Sequence, residues 1–204
     1  MIALIGGEGS IGRRYAAILR YFDMKYVVVD PVREDYDRAL RVKVERAIVC
    51  TPTAMHYQGV KWCMEKDIPI LCEKPLSINQ RECFELGRYK KGFVVNNYQH
   101  VFQRFQNEKF NIKYNYYNTG KDGVAWDCCQ LIYMDPKVEI RTDSPILTIW
   151  VNNSRITHEN IERGYMTMIR AFMAEEKEKL WTFAQGMEMT EAVYAYLNRN
   201  TVKA

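Results

Sequence analysis

An apolar run that dissolves into glycines opens this chain: Ala3-Leu4-Ile5-Gly6-Gly7-Glu8-Gly9-Ser10-Ile11-Gly12. Gly7, Gly9 and Gly12 stand at the spacing G-x-G-x-x-G, between a short strand, Met1 to Ile5, and a segment whose Ile11, Ala16, Ile18 and Leu19 give a helix one apolar side. In that setting the glycines have separate physical duties. The first makes a tight turn at the strand's end, the second leaves no side chain in the path of a pyrophosphate, and the third lets helix and strand pack closely. At the helix start, Ser10 and Ile11 then present unpaired N–H groups to the anion. The same spacing also occurs in ordinary glycine turns, so the residues beyond it must decide.

They do so at the next strand. Tyr26-Val27-Val28-Val29 is β-branched and short and ends in Asp30, 18 residues past the last glycine, where an acid accepts hydrogen bonds from the ribose hydroxyls of NAD. Asp30 also repels the extra phosphate of NADP. Arg33 pulls the other way, because a guanidinium there can meet a 2′-phosphate, so NAD is favoured and NADP stays open.

Composition narrows the rest. The 204 residues are 48% hydrophobic and 26% charged, which suits a folded core, and the net charge of +4 is spread among acids as in Glu175-Glu176-Lys177-Glu178-Lys179. No nucleic-acid surface is expected. No apolar run approaches the roughly 20 residues that cross a bilayer, and the first residues enter a strand rather than a leader, so a cytoplasmic protein with no membrane partner is expected. The cysteines at 50, 63, 72, 83, 128 and 129 show no metal-ligand spacing and read as reduced thiols, most of them buried.

From residue 1 to about 97 strands and helices alternate. Val44 to Cys50, Ile68 to Cys72 and Gly92 to Val95 read as further strands, with helices over Thr53–Glu65 and Asn79–Lys90, the second opened by Ser77 as its cap. Strands this continuously apolar predict a parallel sheet covered on both faces, with ligands gathering at the carboxyl ends. That rule lines up Gly7, Asp30, Thr51, Lys74 and Asn97 on one rim. Beyond residue 98 the pattern alternates instead. Phe110–Tyr117, Lys137–Arg141 and Ile146–Val151 read as strands, Val124–Met134 as a short helix, Asn152–Asn160 with His158 as a loop or cap, and 161–179 and 190–197 as helices. The expected architecture is α/β, a parallel sheet over 1–97 followed by a smaller α+β domain over 98–204 with an open, mostly antiparallel sheet. The exposed face of that second sheet must be covered, which predicts a homodimer through it.

Two segments resemble a known family. Ala47-Ile48-Val49-Cys50-Thr51-Pro52-Thr53-Ala54-Met55-His56 and Ile68-Pro69-Ile70-Leu71-Cys72-Glu73-Lys74-Pro75 resemble the Gfo/Idh/MocA oxidoreductases, closely over residues 1–97 and loosely beyond. The resemblance implies a Rossmann domain and an NAD(P)-dependent oxidation or reduction at a carbon bearing a hydroxyl or carbonyl, usually on a sugar or cyclitol. It places Thr51 and Pro52 along the dinucleotide, Glu73 and Lys74 beside the nicotinamide, and His56 as a positioning residue. Chemistry agrees, since an ammonium at Lys74 stabilises the negative charge of an alcohol oxygen that is losing its proton.

One departure stands out. The family's second domain carries an Asp followed four residues later by a His; here Asp127 is followed by Leu131, with Gln130 beside it. Leucine cannot transfer a proton. Either Lys74 handles the proton alone, or another residue substitutes, His100 being the first candidate, or the substrate is no longer a sugar alcohol. Asp127, Gln130 and His100 are therefore the candidate substrate contacts. The family also includes biliverdin reductases, which likewise lack that histidine, so a tetrapyrrole is an alternative substrate. A dinucleotide-binding sensor or scaffold without turnover is the other alternative, against which the retained Lys74 argues.

Overall fold

The computed structural model describes residues 1–30, 41–77, 79–95 and 162–187, together with the backbone of five strands between 112 and 160. Five parallel strands, β1 (Ile2–Ile5), β2 (Tyr26–Val29), β3 (Arg46–Val49), β4 (Ile70–Cys72) and β5 (Gly92–Val94), carry the first half. Between them run α1 (Ser10–Tyr21), α2 (His56–Glu65, entered through a 3-10 turn at Thr53–Met55) and α3 (Gln80–Leu86). The sheet order is β11-β5-β4-β3-β1-β2, where β11 (Trp181–Thr182) joins antiparallel to β5. Leu4, Ile5, Ile48, Ile70 and Leu71 are fully enclosed, with Tyr15 and Leu19 of α1 and Val60 and Cys63 of α2 also buried. Unbroken apolar strands are what a sheet covered on both faces requires. The expected α/β, parallel-sheet architecture is borne out.

β11 was not foreseen. Phe183, completely buried, lies where a side chain on Gly92 would stand: a Cβ there would come within 2.2 Å of the Phe183 ring. A Cβ on Gly186 would likewise meet Val94 at 2.4 Å, so both glycines let the helical turn at 183–187 lie flat on β5. Thr182 and Gln185 exchange a reciprocal capping pair at that turn's start, Gln185 N donating to Thr182 Oγ1 at 3.3 Å and Thr182 N to Gln185 Oε1 at 2.9 Å. Met1–Val95 and Leu180–Thr190 thus form one compact unit, and Asn96–Lys179 with Glu191–Ala204 the other.

In the second unit β6 (Ile112–Tyr117), β7 (Cys128–Tyr133), β8 (Val138–Asp143), β9 (Ile146–Val151) and β10 (Ser154–Asn160) form an antiparallel meander in the order β10-β9-β8-β7-β6. Two expectations are corrected here. Residues 128–133 are a strand and not part of a helix, each residue paired with β6 from Cys128↔Tyr117 to Tyr133↔Ile112; Leu131-Ile132-Tyr133 suits a pleated surface better than a helix. His158 lies on β10 opposite Thr148, not in a loop. The polar stretch becomes a strand because β9 supplies its hydrogen-bond partners.

Helix boundaries also shift. The cap of α3 is Asn79, whose side chain accepts from Arg81 N at 2.9 Å and Glu82 N at 3.4 Å, while Ser77 braces it by accepting from Asn79 N at 3.0 Å and donating to Glu82 Oε2. α4 (Glu162–Met173) stops before Glu175, which takes φ +60°, and a separate 3-10 turn follows at Lys177–Lys179. The expected helix at 190–197 lies outside the described residues.

Candidate functional site

Cross-strand hydrogen bonds align the carboxyl ends of the first sheet. Gly6 N donates to Val29 O at 2.8 Å, Cys50 N to Ile5 O at 2.9 Å, Glu73 N to Val49 O at 2.8 Å and Val95 N to Cys72 O at 2.8 Å. The residues that follow these bonds, Asp30, Gly7, Thr51 and Lys74, therefore share one edge. Arg33, Asn97, His100 and Asp127 lie outside the described residues. Gln130 belongs to the second unit, on β7 opposite Asn115.

The glycine turn differs from the expected assignment by one residue. Gly6, not Gly7, takes the left-handed conformation, φ +87°, and a Cβ there would stand 2.7 Å from Thr51 N. The sequence signal was the doubled glycine directly after Ile5. Gly7 instead packs under Val28 of β2, and a Cβ on Gly12 would stand 2.4 Å from Gly6 O, so α1 rests directly on the turn. Gly9 alone faces room: its Cβ would meet only Gly6 O, at 3.5 Å. Gly9 is also the N-cap of α1 and contributes no side-chain bond, and the first turn, with Ser10 and Ile11, carries no acid. Such an end attracts an anion through its amides and the helix dipole.

Thr51 supplies a second mark of an absent partner. Its Oγ1 is buried and, among the described residues, is the buried side-chain polar atom without a hydrogen bond. An orphaned hydroxyl beside an open glycine fits a polar ligand laid across this edge. Next to it Pro52 leads into the 3-10 turn that brings His56 inward.

His56 is 1% exposed and sits between two carbonyls, Nε2 at 2.8 Å from Thr51 O and Nδ1 at 2.9 Å from Pro75 O. It ties the exit of β3 to the exit of β4. Burial holds its pKa below the usual imidazole value, opposed by the carbonyls of Pro75, Thr51 and Leu76. A neutral ring has one N–H for those two carbonyls.

Glu73 is also buried, at 7% exposure. Tyr15 of α1 donates its hydroxyl to Oε1 at 2.8 Å and the Lys74 amide donates to Oε2 at 3.2 Å. Burial raises its pKa, and Lys74, the two hydrogen bonds and Arg14 partly offset this. Lys74 follows, half-buried, joined to Pro75 by a cis peptide bond. Tyr15 was not singled out from sequence; its signal was a hydroxyl-bearing ring on the buried side of the glycine-turn helix. The thiols of Cys50 and Cys72 beneath this edge are free, and burial pushes both up. Among the described residues no cluster of His, Cys, Asp or Glu is placed to hold a metal.

An open glycine turn, an uncapped helix start, a strand-terminal acid and an orphaned threonine along one edge define a dinucleotide-binding Rossmann protein. Comparison narrows the class. Residues 21–92, which include Asp30, Thr51-Pro52, His56 and Glu73-Lys74-Pro75, match the Gfo/Idh/MocA model, described as an oxidoreductase family with an NAD-binding Rossmann fold. Over that stretch the chain is similar to the NAD-binding Rossmann domain of this oxidoreductase family.

Solved structures share the fold at low identity. A Gfo/Idh/MocA family oxidoreductase from Vibrio cholerae superposes with a TM-score of 0.62 at 14% identity, covering 98% of this chain and 99% of that one. A myo-inositol dehydrogenase from Corynebacterium glutamicum gives 0.63 at 13%, covering 97% and 95%. The WlbA dehydrogenase from Thermus thermophilus, in complex with NAD and UDP-GlcNAcA, gives 0.58 at 13%, covering 93% and 92%. No curated protein matches the sequence. Among the described residues no helix is long and apolar enough to cross a membrane.

Proposed function

We propose that this chain moves hydride between a nicotinamide nucleotide and a sugar, cyclitol or related hydroxyl or carbonyl compound, with Lys74 beside the reacting oxygen. One observation carries the reading: Lys74 leaves β4 on the edge that holds the glycine turn, in a loop fixed by His56 through Pro75 and by Glu73. In the bound state the nicotinamide supplies or accepts the hydride. The amides of Ser10 and Ile11 and the bare Gly9 hold the pyrophosphate, Asp30 the adenosine ribose, and Thr51 a polar group between them. NAD is the favoured nucleotide because Asp30 disfavours a 2′-phosphate. The Lys74 ammonium stabilises negative charge on the substrate oxygen and exchanges its proton. The substrate class is supported by the inositol and sugar-nucleotide names of the structural relatives.

We assign residues 1–97 to the dinucleotide and 98–204 to substrate and to a cytoplasmic homodimer formed through the second sheet, with His100, Asp127 and Gln130 as substrate contacts. A biliverdin-type substrate is a second reading, compatible with Leu131 standing where the family's histidine is expected.

The test is a titration with NADH and NADPH followed by nicotinamide absorbance against inositols, UDP-sugars and biliverdin, in wild type and Lys74→Ala. The expected result is near-unchanged NADH affinity with a rate lowered by about 10²- to 10⁴-fold in Lys74→Ala. No nucleotide binding, or undiminished turnover in Lys74→Ala, refutes the proposal. Binding without turnover of any substrate points to the sensor or scaffold reading, and biliverdin as the one compound turned over selects the tetrapyrrole.

A further inference from the structure

We infer that Tyr15 is a positioning residue for Lys74: from the glycine-turn helix it holds the buried Glu73 carboxylate, which in turn holds the Lys74 backbone amide. The inference rests on the reading of Lys74 given above and extends it to a residue on a different element.

The geometry is a relay of two hydrogen bonds. Tyr15 is completely buried, its hydroxyl donates to one oxygen of Glu73 at 2.8 Å, and the other oxygen accepts the Lys74 N–H at 3.2 Å. A buried carboxyl is a poor choice for stability alone, since an apolar pair of similar volume does as well or better. It is a good choice for holding two elements in register, because it has one acceptor oxygen for each. The helix whose first amides meet the pyrophosphate is thereby joined to the loop that presents the ammonium. Occupation of one end is felt at the other.

Protonation weakens the relay. A neutral carboxyl keeps one good acceptor oxygen, so the Lys74 amide and the tyrosine hydroxyl compete for it unless the hydroxyl turns round to accept the carboxyl proton. The charged and titratable groups facing Glu73 are Lys74 on its own loop, Tyr15 and Arg14 from α1, Cys50 at the end of β3 and Cys72 on β4. Burial keeps both thiols neutral at ordinary pH, and the two basic side chains favour the carboxylate. Removing the tyrosine hydroxyl withdraws one of the groups that keep Glu73 ionised. Its protonation then moves to higher pH.

The experiment follows two signals in the full chain: the ¹³C resonance of the Glu73 carboxyl, assigned by its loss in Glu73→Gln, and NADH affinity by fluorescence, both across pH. In Tyr15→Phe, which keeps the buried ring, Glu73 titrates at higher pH than in wild type. The acid limb of NADH affinity moves up with it, leaving binding about tenfold weaker between the two limbs. In Glu73→Gln the limb due to Glu73 disappears, and any remaining one belongs to His56. A Glu73 titration unmoved in Tyr15→Phe, or a moved titration with an unmoved binding limb, overturns the inference. Wild-type protein that binds no NADH while Glu73 still responds to Tyr15 overturns the dinucleotide reading itself and reduces the pair to a core contact. Loss of stability in Tyr15→Phe without either shift marks a merely structural tyrosine and also overturns it.

Discussion

Alanine at Gly6 and alanine at Gly9 should do opposite things, although the two glycines are three residues apart in one turn. At Gly6 the new side chain would sit at φ +87° with its Cβ 2.7 to 2.9 Å from Thr51 N, Thr51 Cα and Cys50 C, all backbone atoms that cannot rotate away. The left-handed conformation costs an L-residue about 1–2 kcal/mol and overpacking against fixed atoms about 1–3 kcal/mol. Together they remove about 2–5 kcal/mol, and for a chain of this size each kcal/mol lowers the melting temperature by about 2–4 °C. A drop on the order of 10 °C follows. Gly9 has φ −71° and ψ 171°, ordinary for any residue, and its Cβ would touch only Gly6 O at 3.5 Å. Gly9→Ala should therefore melt with wild type, within about 0.5 kcal/mol, yet lose about tenfold or more in NADH affinity because a methyl group occupies the pyrophosphate's approach. Thermal melting by circular dichroism and NADH fluorescence titration read the two effects separately. A Gly9→Ala protein that binds NADH like wild type refutes the placement of the anion, and a Gly6→Ala protein that melts like wild type refutes the turn.

Other outcomes follow from the same geometry. Gly92→Ala forces a Cβ into the buried Phe183 ring and should destabilise by about 1–3 kcal/mol in urea denaturation. His56→Leu removes the ring N–H that serves one of the Thr51 and Pro75 carbonyls and should destabilise by about 1–3 kcal/mol at neutral pH. Because burial lowers the His56 pKa below its unfolded value, the folded state gives up stability as pH falls below about 6.5, so a melt-against-pH curve should be flatter there in His56→Leu. Glu73 has the opposite sign. Its raised pKa means the folded state binds a proton before the unfolded one, so the stability gained by Glu73→Gln should be largest at neutral pH and shrink on acidification. Sedimentation equilibrium at micromolar concentration should show a dimer; a monomer rejects the pairing through the second sheet.

Much of the first unit was legible because its signals are local and agree with one another. Apolar runs such as Ala47 to Cys50 and Ile70 to Cys72, each followed by a helical pattern, can form little else than a parallel sheet, and its carboxyl edge follows from topology. What escaped depends on partners distant in sequence. The left-handed residue is Gly6 rather than Gly7 because Thr51 closes over it, a contact 45 residues away. Asn79 caps α3 in place of Ser77 because the Ser77 hydroxyl is engaged with Glu82. The helix expected over Val124–Met134 rests on the local pattern alone, whereas 128–133 becomes a strand through its pairing with β6. Tyr15 looked like core, and only the carboxyl beneath it shows what its hydroxyl does. Trp181–Thr182, at two residues, is too short for any periodicity to register.

That short strand sets the order in which the molecule can be completed. The border of the first sheet is sealed by residues that leave the ribosome only after the whole second meander has been made. A nascent chain halted near residue 97 would present β5 as a bare margin, with the Phe183 slot over Gly92 empty, in the state most open to pairing with a neighbour. Anyone wishing to produce the nucleotide-binding half by itself would have to graft 180–187 back onto its end.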